Sequence, residues 1–279
     1  MHQIESIAEM KTACRGVTRA GKTLGLVPTM GALHEGHLSL VRAARAQCDA
    51  TAVSIFVNPL QFGPTEDLAN YPRTPQRDSA LLRELGVDFL FVPTAGEMYP
   101  PGAQTYVDVG DLSRKLDGGS RPGHFRGVAT VVCKLFEIVR PDRAYFGQKD
   151  AAQVALLRKM VRDLDMDVEM VVCLIVREAD GLALSSRNVY LTLEQRKQAL
   201  VLSRSLQQVK AATDAGESDA SKLLEIGRRV IAAERGAKLD YYVVVDPNTL
   251  EPVTKTSRGA LVAVAAWVGT TRLIDNVVL

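Results

Sequence analysis

The sequence predicts an α/β fold, with a parallel sheet and helices on both of its faces in an N-terminal domain, followed by a smaller α+β domain. Apolar, β-favouring runs alternate with amphipathic helical stretches through the first two thirds of the chain, as in repeated strand–helix–strand units. Polar and charged segments follow several of these runs, as ligand-binding loops do at the carboxyl ends of parallel strands. Past Arg177, two long helical stretches precede two strand-like runs.

The boundaries of the elements come from hydrophobic periodicity. Residues 24–27 are apolar and β-favouring, Pro28 and Gly31 end that run, and helical spacing of apolar residues resumes at Leu38. Further strands are predicted at 52–57, 89–92, 143–146 and 168–176, and further helices at 78–85, 129–139 and 151–164. Helices at 193–212 and 220–234, then strands at 241–245 and 260–268, complete the chain. We therefore expect domains at residues 1–176 and 177–279.

Composition favours an enzyme that acts on small molecules. The chain has 279 residues, 47% of them hydrophobic and 24% charged, and a net charge of +2, which is typical of ordinary globular proteins. No basic patch predicts a nucleic-acid partner, and no apolar run is long enough for a membrane span. The four cysteines are scattered and form no Cys-x-x-Cys motif. With no signal-peptide pattern at residues 1–5, we expect a cytoplasmic protein.

The most informative segment is residues 27–37, in which a predicted strand leads through a glycine-broken turn to the start of a helix. His34 and His37 lie where that helix begins, and Gly36 allows a ligand to approach the backbone closely. A helix N-terminus offers unpaired N–H groups and partial positive charge to phosphate oxygens, and an imidazole can add a hydrogen bond or a proton. The segment therefore predicts a nucleotide-phosphate site.

Two other interpretations compete with nucleotide binding at this turn. A zinc site needs more ligands, and the spacing of His34 and His37 differs from the i, i+4 pair of metalloproteases. Histidines that only satisfy hydrogen bonds in a loop are the ordinary case. Of the four histidines, however, two fall in this turn, and His124 lies in another Gly/Arg-rich segment.

Neutral amides follow the strand predicted at 52–57. Asn58 and Gln61 adjoin apolar side chains and can orient a carboxylate or hydroxyl without supplying charge. Amides that merely cap the turn are the simpler explanation for this segment taken alone.

Residues 118–127 are basic and bounded by glycines. This composition suits a mobile flap over an anionic ligand, with two arginines near His124 favouring phosphate. An ordinary surface loop would tolerate the same residues.

Two later segments also suit phosphate. Gly147, Gln148, Lys149 and Asp150 follow a predicted strand and open the helix that carries Gln153. Lys149 can reach phosphates and Asp150 can accept from ribose hydroxyls, although a solvent-exposed helix start would look the same.

The second such segment is residues 184–188, where Leu184 precedes Ser185, Ser186 and Arg187. Two hydroxyls and a guanidinium can clamp polyphosphate oxygens and follow charge onto a leaving pyrophosphate. A helix-capping serine turn is the alternative.

In this order, the motifs at residues 28–37, 58–62, 121–127, 146–153 and 177–188 resemble those of the pantoate:β-alanine ligases, the pantothenate synthetases of the nucleotidyltransferase superfamily. The resemblance implies a Rossmann-like N-terminal domain, a C-terminal lid domain, a homodimer, and ATP with Mg²⁺ as cosubstrate. The implied reaction joins pantoate to β-alanine through a pantoyl adenylate, releasing diphosphate and then AMP.

The resemblance also implies roles for residues at matching positions. His37 is the implied proton donor beside His34, with Lys149 and Arg187 as further catalytic groups. Gln61 and Gln153 would hold pantoate, Gln61 would also meet β-alanine, and Asn58 and Met30 would line the substrate site. Val176 would meet adenine through its backbone. The implied ATP-binding set is Met30, Gly31, Ala32, Leu33, His34, Glu35, Gly36, His37, Gly147, Gln148, Lys149, Asp150, Val176, Leu184, Ser185, Ser186 and Arg187.

The chain departs from the motif at Leu184, where methionine is usual, a nearly isosteric apolar change. The nearest alternative function is an adenylyltransferase with the same His-x-Gly-His motif that acts on a phosphorylated acceptor. A non-catalytic nucleotide-binding module of the same fold is another. Asn58 and Gln61 beside apolar residues favour an acceptor that bears a carboxylate.

Overall fold

The computed structural model describes residues 1–64 and 66–279. Its residue contacts divide the chain into two compact units. The first comprises Met1–Gly147 and Leu156–Cys173, and the second comprises Gln148–Ala155 and Leu174–Leu279.

The first unit contains a six-stranded parallel sheet. Its strands are β1 (His2–Ile4), β2 (Leu24–Thr29), β3 (Ala50–Ile55), β4 (Phe89–Phe91), β5 (Arg143–Gly147) and β6 (Glu169–Cys173). They lie in the order β1-β4-β3-β2-β5-β6, and all the pairings are parallel. Strands β3 and β4, which follow β2 in sequence, lie on one side of β2, whereas β5 and β6 lie on its other side. The strand order therefore reverses between β2 and β5. In open α/β sheets such a reversal leaves a crevice at the carboxyl ends of the strands.

In the described part of the chain, seven α-helices belong wholly or partly to this unit. They are α1 (Ile7–Arg19), α2 (Glu35–Gln47), α3 (Pro75–Glu84), α4 (Ala95–Met98), α5 (Asp117–Ser120), α6 (His124–Val139) and α7 (Ala151–Asp163), which is shared with the second unit. Val27, Val53 and Leu90 of the sheet join a buried apolar cluster with residues of α2 and α3. The helices α1 and α6 contact each other and β2. Strands β2 and β3 are buried along almost their whole length, as parallel strands covered on both faces are.

The second unit pairs an antiparallel sheet with two long helices. Strands β7 (Ala237–Val245), β8 (Leu261–Val268) and β9 (Thr271–Val278) lie in sequence order, and α8 (Leu193–Asp214) and α9 (Ala220–Ala232) pack on them. Leu206, Leu223 and Val264 belong to its buried core. Gly227 of α9 lets the ring of Tyr242 pack against the helix backbone, because a Cβ there would lie 2.2 Å from the ring.

The predicted fold class is confirmed, and most predicted elements are present with ends shifted by a few residues. Helix α2 starts at Glu35 rather than Leu38, and β2 continues through Pro28 to Thr29. Pro28 lies beyond the last residue of β2 that pairs with β5, so its missing N–H breaks no bond with that strand. The division at residue 176 stays a prediction.

The flap predicted for residues 118–127 is wrong in its local structure. Helix α5 covers Asp117–Ser120, and α6 already begins at His124. Gly118 and Gly127 provide close packing, because a Cβ on them would lie 2.1 Å from the Ser113 carbonyl oxygen and 2.3 Å from that of Leu60, respectively. Strands β1 and β9 and helix α1 were not predicted.

Within the described residues, no helix is long and apolar enough to cross a membrane.

Candidate active site

The turn after β2 places the two motif histidines at the first turn of α2, as predicted. His34 is the residue that precedes the helix, and His37 lies three residues on. The rings lie 4.1 Å apart between centroids. The His34 backbone N–H donates a long hydrogen bond, 3.4 Å, to His37 Nδ1. Because that nitrogen accepts, a neutral His37 carries its proton on Nε2.

A buried carboxylate shapes this turn. Asp78 of α3 is 1% exposed, and its two oxygens accept from the backbone N–H groups of Ala32 and Leu33, at 2.9 Å each. It also accepts from the Thr74 hydroxyl at 2.9 Å. Ala32 and Gly31 both have positive φ, +50° and +82°. The carboxylate therefore holds a backbone conformation that a non-glycine residue adopts only at a cost.

The amides at the carboxyl end of β3 form a buried cluster with Met30. Asn58 and Gln61 are 1% and 8% exposed. Asn58 Nδ2 donates to Gln61 Oε1 at 3.1 Å, and Gln61 Nε2 donates to Met30 Sδ at 3.1 Å. Tyr99 donates to Asn58 Oδ1 at 2.8 Å, and burial raises the pKa of its hydroxyl. Since Met30 belongs to the histidine turn, the structure brings the amides and the predicted phosphate site together.

Arg121 and His124 are both partly exposed, and their side chains contact the backbone of Gln61 beside the same cluster. His124 Nδ1 lies 2.8 Å from the Gln61 carbonyl oxygen, and Arg121 Nη2 lies 3.3 Å from it. Arg121 also pairs with Glu66. The charge of Arg121 is thus paired within the protein, which differs from the predicted role of binding a ligand phosphate.

In the second unit, residues 148–150 form a short 3-10 turn that is braced by β9. Asn276 Nδ2 donates to the carbonyl oxygens of Gln148 and Lys149, at 2.9 and 3.0 Å. Its Oδ1 accepts from Gln148 Nε2 at 3.1 Å. The Lys149 ammonium lies 3.6 Å from Asp150. Gln153 follows, partly exposed, in the first turn of α7.

Residues 176–188 fold back on themselves in the same unit. Leu184 donates its N–H to the Val176 carbonyl oxygen at 3.0 Å. Ser185 precedes the 3-10 turn Ser186–Tyr190, and its hydroxyl accepts from the Arg187 N–H at 3.3 Å. The capping interpretation thus holds for Ser185, while Ser186 and Arg187 lie partly exposed on the turn.

The base of this segment is tied to β9. Arg177 donates two hydrogen bonds to Asp275, at 2.7 and 2.9 Å, and one to the Gly181 carbonyl oxygen at 3.1 Å. Asp275 is 3% exposed. One strand therefore supports both the turn at Lys149 and the segment that carries Arg187.

Sequence reasoning missed several residues that shape the site. Asp78, Tyr99, Asp275 and Asn276 all act over long sequence separations, and no local pattern marks them. Their hydrogen-bond partners lie 45 residues away in sequence for Asp78, 41 for Tyr99, 98 for Asp275 and 127 for Asn276.

A family model described as pantoate-beta-alanine ligase matches residues 2–278. A pantothenate synthetase of Koribacter versatilis is 63% identical over 279 residues, which cover 100% of this chain and 96% of that protein. A pantothenate synthetase of Thermotoga neapolitana is 58% identical, with complete coverage of both chains. The chain belongs to the pantoate-beta-alanine ligase family. It is an enzyme of this family, as the resemblance implied.

Solved structures of the family share the fold. The pantothenate synthetase of Thermus thermophilus matches with a TM-score of 0.94 and 48% identity, covering 99% of each chain. The pantoate-beta-alanine ligase of Francisella tularensis, solved in complex with beta-gamma ATP and beta-alanine, matches with a TM-score of 0.81 and 34% identity. That match covers 100% of this chain and 97% of the other.

Proposed function

We propose that this ligase-family enzyme joins (R)-pantoate to β-alanine with the cleavage of ATP, giving pantothenate, AMP and diphosphate through an enzyme-bound pantoyl adenylate. The observation that carries the proposal is the buried cluster of Asn58, Gln61 and Met30 next to a helix start that bears two histidines. Its side chains are neutral, so they can orient a carboxylate while leaving it able to attack.

In the first step, a pantoate carboxylate oxygen attacks the α-phosphorus of ATP, and the bond to diphosphate breaks. The backbone N–H groups at the start of α2 and the His37 and His34 rings suit the developing phosphate charge. Lys149 and Arg187 supply positive charge for the polyphosphate. The step needs alignment and charge neutralisation and no protein nucleophile.

In the second step, the β-alanine nitrogen attacks the acyl carbon, the bond to AMP breaks, and a proton leaves the nitrogen. AMP therefore carries away one oxygen that began in pantoate. The intermediate is an activated acyl group, so exclusion of water during this step decides the yield of pantothenate.

The individual roles follow the family resemblance. Gln61 and Gln153 hold pantoate, Gln61 also meets β-alanine, and Val176 meets adenine through its backbone. The ATP phosphates and ribose are bound by the two segments 30–37 and 147–150 and by residues 184–187. This enzyme is also proposed to be a cytoplasmic homodimer, with residues 177–279 acting as a lid.

Magnesium is proposed to enter with ATP. The described residues contain no cluster of three or more His, Cys, Asp or Glu side chains arranged for a metal, so they do not form a dedicated cage. Mg²⁺ is commonly held by substrate phosphates, waters and one or two carboxylates. Its part would be to neutralise phosphate charge, and the protein groups named above act on the oxygens that it leaves available.

The reaction is tested by following AMP and diphosphate separately. We expect steady AMP release only when ATP, pantoate and β-alanine are all present. Pantoate without β-alanine should give a burst of diphosphate of about one equivalent per active site, because the adenylate stays bound. Continuous AMP release without β-alanine would contradict ligation. Diphosphate release with a phosphorylated acceptor in place of pantoate would indicate an adenylyltransferase.

A further inference from the structure

The backbone of Gln61 is fixed by two side chains from the turn that opens α6. The Gln61 carbonyl oxygen lies 2.8 Å from His124 Nδ1 and 3.3 Å from Arg121 Nη2. His124 Nε2 in turn lies 3.0 Å from Arg121 Nη1. One carbonyl thus receives two donors that are themselves joined by a hydrogen bond.

The chemistry of the partners settles the tautomer of His124. A guanidinium can only donate, so Nε2 must accept from Arg121, and a carbonyl can only accept, so Nδ1 must carry the proton. The ring is therefore neutral and donates to Gln61. Burial, and then the charge of Arg121, lowers the pKa of His124 to about 4, in keeping with this assignment.

The cluster adds little net charge beside the amides. Arg121 forms two hydrogen bonds with the Glu66 carboxylate, one of them at 2.9 Å from Nε to Oε1. Burial alone would raise the pKa of Glu66, but the hydrogen bond from Arg121 and its charge bring it below the ordinary value. An ion pair and a neutral imidazole therefore lie beside the Gln61 backbone, and together these three side chains carry no net charge.

The same helix also holds the Gln61 side chain. Asn58 Nδ2 is shared between Gln61 Oε1 and the carbonyl oxygen of Gly127 in α6, at 3.1 Å each. A Cβ at Gly127 would lie 2.6 Å from the Gln61 nitrogen. The turn that carries Gln61 therefore packs directly against the backbone of α6.

We propose that His124 is a positioning residue for the ligase reaction: by donating from Nδ1 to the Gln61 carbonyl, it fixes the orientation in which Gln61 presents its amide to pantoate. The proposal rests on the proposed role of Gln61 as a pantoate ligand. In this role His124 acts through Gln61 and needs no contact with substrate. Its loss should therefore weaken pantoate use much more than ATP use.

Two amide substitutions distinguish the hydrogen bond made by Nδ1 of His124 from the one made by Nε2. In His124→Asn the amide nitrogen lies near the position of Nδ1 and can still donate to Gln61. In His124→Gln the amide lies near Nε2, so the contact with Arg121 is kept and the donor to Gln61 is lost. Because the loss of one hydrogen bond weakens an interaction only modestly, we expect His124→Gln to raise the KM for pantoate about 5-fold with little change in kcat or in the KM for ATP. His124→Asn should stay close to wild type, and Glu137→Ala, which removes an exposed charge from α6, serves as a control.

The test is completed in a Gln61→Ala background. With no side chain left to orient, His124→Gln should add no further increase in the KM for pantoate. Equal pantoate KM values for His124→Asn and His124→Gln would overturn the positioning role, as would a full additional increase in the double variant. If Gln61→Ala alone leaves the KM for pantoate unchanged, the proposed role of Gln61 fails, and the positioning role fails with it. An unstable His124→Ala protein would not affect this design, because both variants compared retain a polar side chain of similar size.

Discussion

At the scale of single residues, Asp78 determines the shape of the turn that leads to His34 and His37. A carboxylate that accepts from two consecutive N–H groups replaces the hydrogen bonds that the turn cannot make within itself. The third contact, from Thr74 in the same helix segment, fixes the carboxylate in turn. A change at Asp78 should therefore affect the proposed nucleotide site without removing a proposed ligand-binding side chain.

We expect Asp78→Asn to destabilise the protein by about 2–3 kcal/mol and to raise the KM for ATP, because one of the two acceptor oxygens becomes an NH₂ group that faces a backbone N–H and leaves a buried donor unsatisfied. Chemical denaturation and steady-state kinetics measure the two effects. Asp111→Asn is the matched control, because the Asp111 side chain is 91% exposed, and its effect should stay within about 0.5 kcal/mol. Equal stabilities for the two variants would contradict the assigned role.

The neutral state of His124 predicts a dependence of stability on pH. The pKa of His124 is about 4 in the folded protein and near 6.5 when exposed, so the unfolded chain binds more protons between these values. Stability should therefore rise with pH from about 4 to about 6.5 and gain nothing more from this residue above that range. Arg121, Glu66 and Asp117 are the charged groups that influence the ring.

The measurement is the thermal midpoint of wild type and His124→Asn across this pH range. The slope of the wild type should be steeper, because the asparagine does not titrate, while all other groups are common to both proteins. Parallel curves would show that His124 is not held neutral in the fold.

The location of an individual site residue could be predicted only where neighbouring residues in the sequence determine it. His34, His37 and Gln61 follow strands and occur in short motifs, so their placement could be anticipated. The role of Asp78 could not, because its two N–H partners lie 46 and 45 residues away and depend on how α3 packs.

At the scale of elements, the unpredicted strand β9 supports two candidate segments of the second unit. Asp275 binds Arg177, and the next residue, Asn276, binds the turn at Gln148 and Lys149. Because neighbouring residues of a strand point to opposite faces, one strand can serve two segments at once. The sequence pattern does not predict β9, because the polar residues Arg272, Asp275 and Asn276 interrupt its apolar residues.

We expect Asn276→Asp to raise the KM for ATP about 10-fold, which corresponds to about 1.4 kcal/mol. The change places a carboxylate oxygen against two carbonyl oxygens, so the turn that carries Lys149 loses both hydrogen bonds and meets repulsion instead. Asn248→Asp introduces the same charge at an exposed position and should leave the KM for ATP unchanged. A similar KM in both variants would contradict the bracing role of β9.

The error at residues 118–127 has a physical reason at this scale. A glycine-rich sequence is compatible both with flexibility and with close packing, and sequence alone does not separate them. Here the close approach of Gly127 to Leu60 and the hydrogen bonds of Arg121 and His124 to Gln61 order the segment. The two hydrogen bonds join parts of the chain that are 60 and 63 residues apart.

At the scale of the whole molecule, the alternation of strands and helices was sufficient to predict a parallel sheet. The alternation does not determine the order of the strands in the sheet. Strand β1 lies beside β4 and β5 lies beside β2, and such pairings between strands distant in sequence depend on tertiary packing. The reversal of order at β2 and β5 places the turn after β2, the proposed nucleotide site, where open α/β sheets bind ligands.

The fate of the carboxylate oxygens of pantoate shows whether pantoate is activated as an adenylate, as proposed. Pantoate labelled with ¹⁸O in both carboxylate oxygens is converted with ATP and β-alanine, and the AMP and diphosphate are examined by mass spectrometry. The proposed route transfers one labelled oxygen to each AMP and none to diphosphate. Unlabelled AMP, or label in diphosphate, would contradict it.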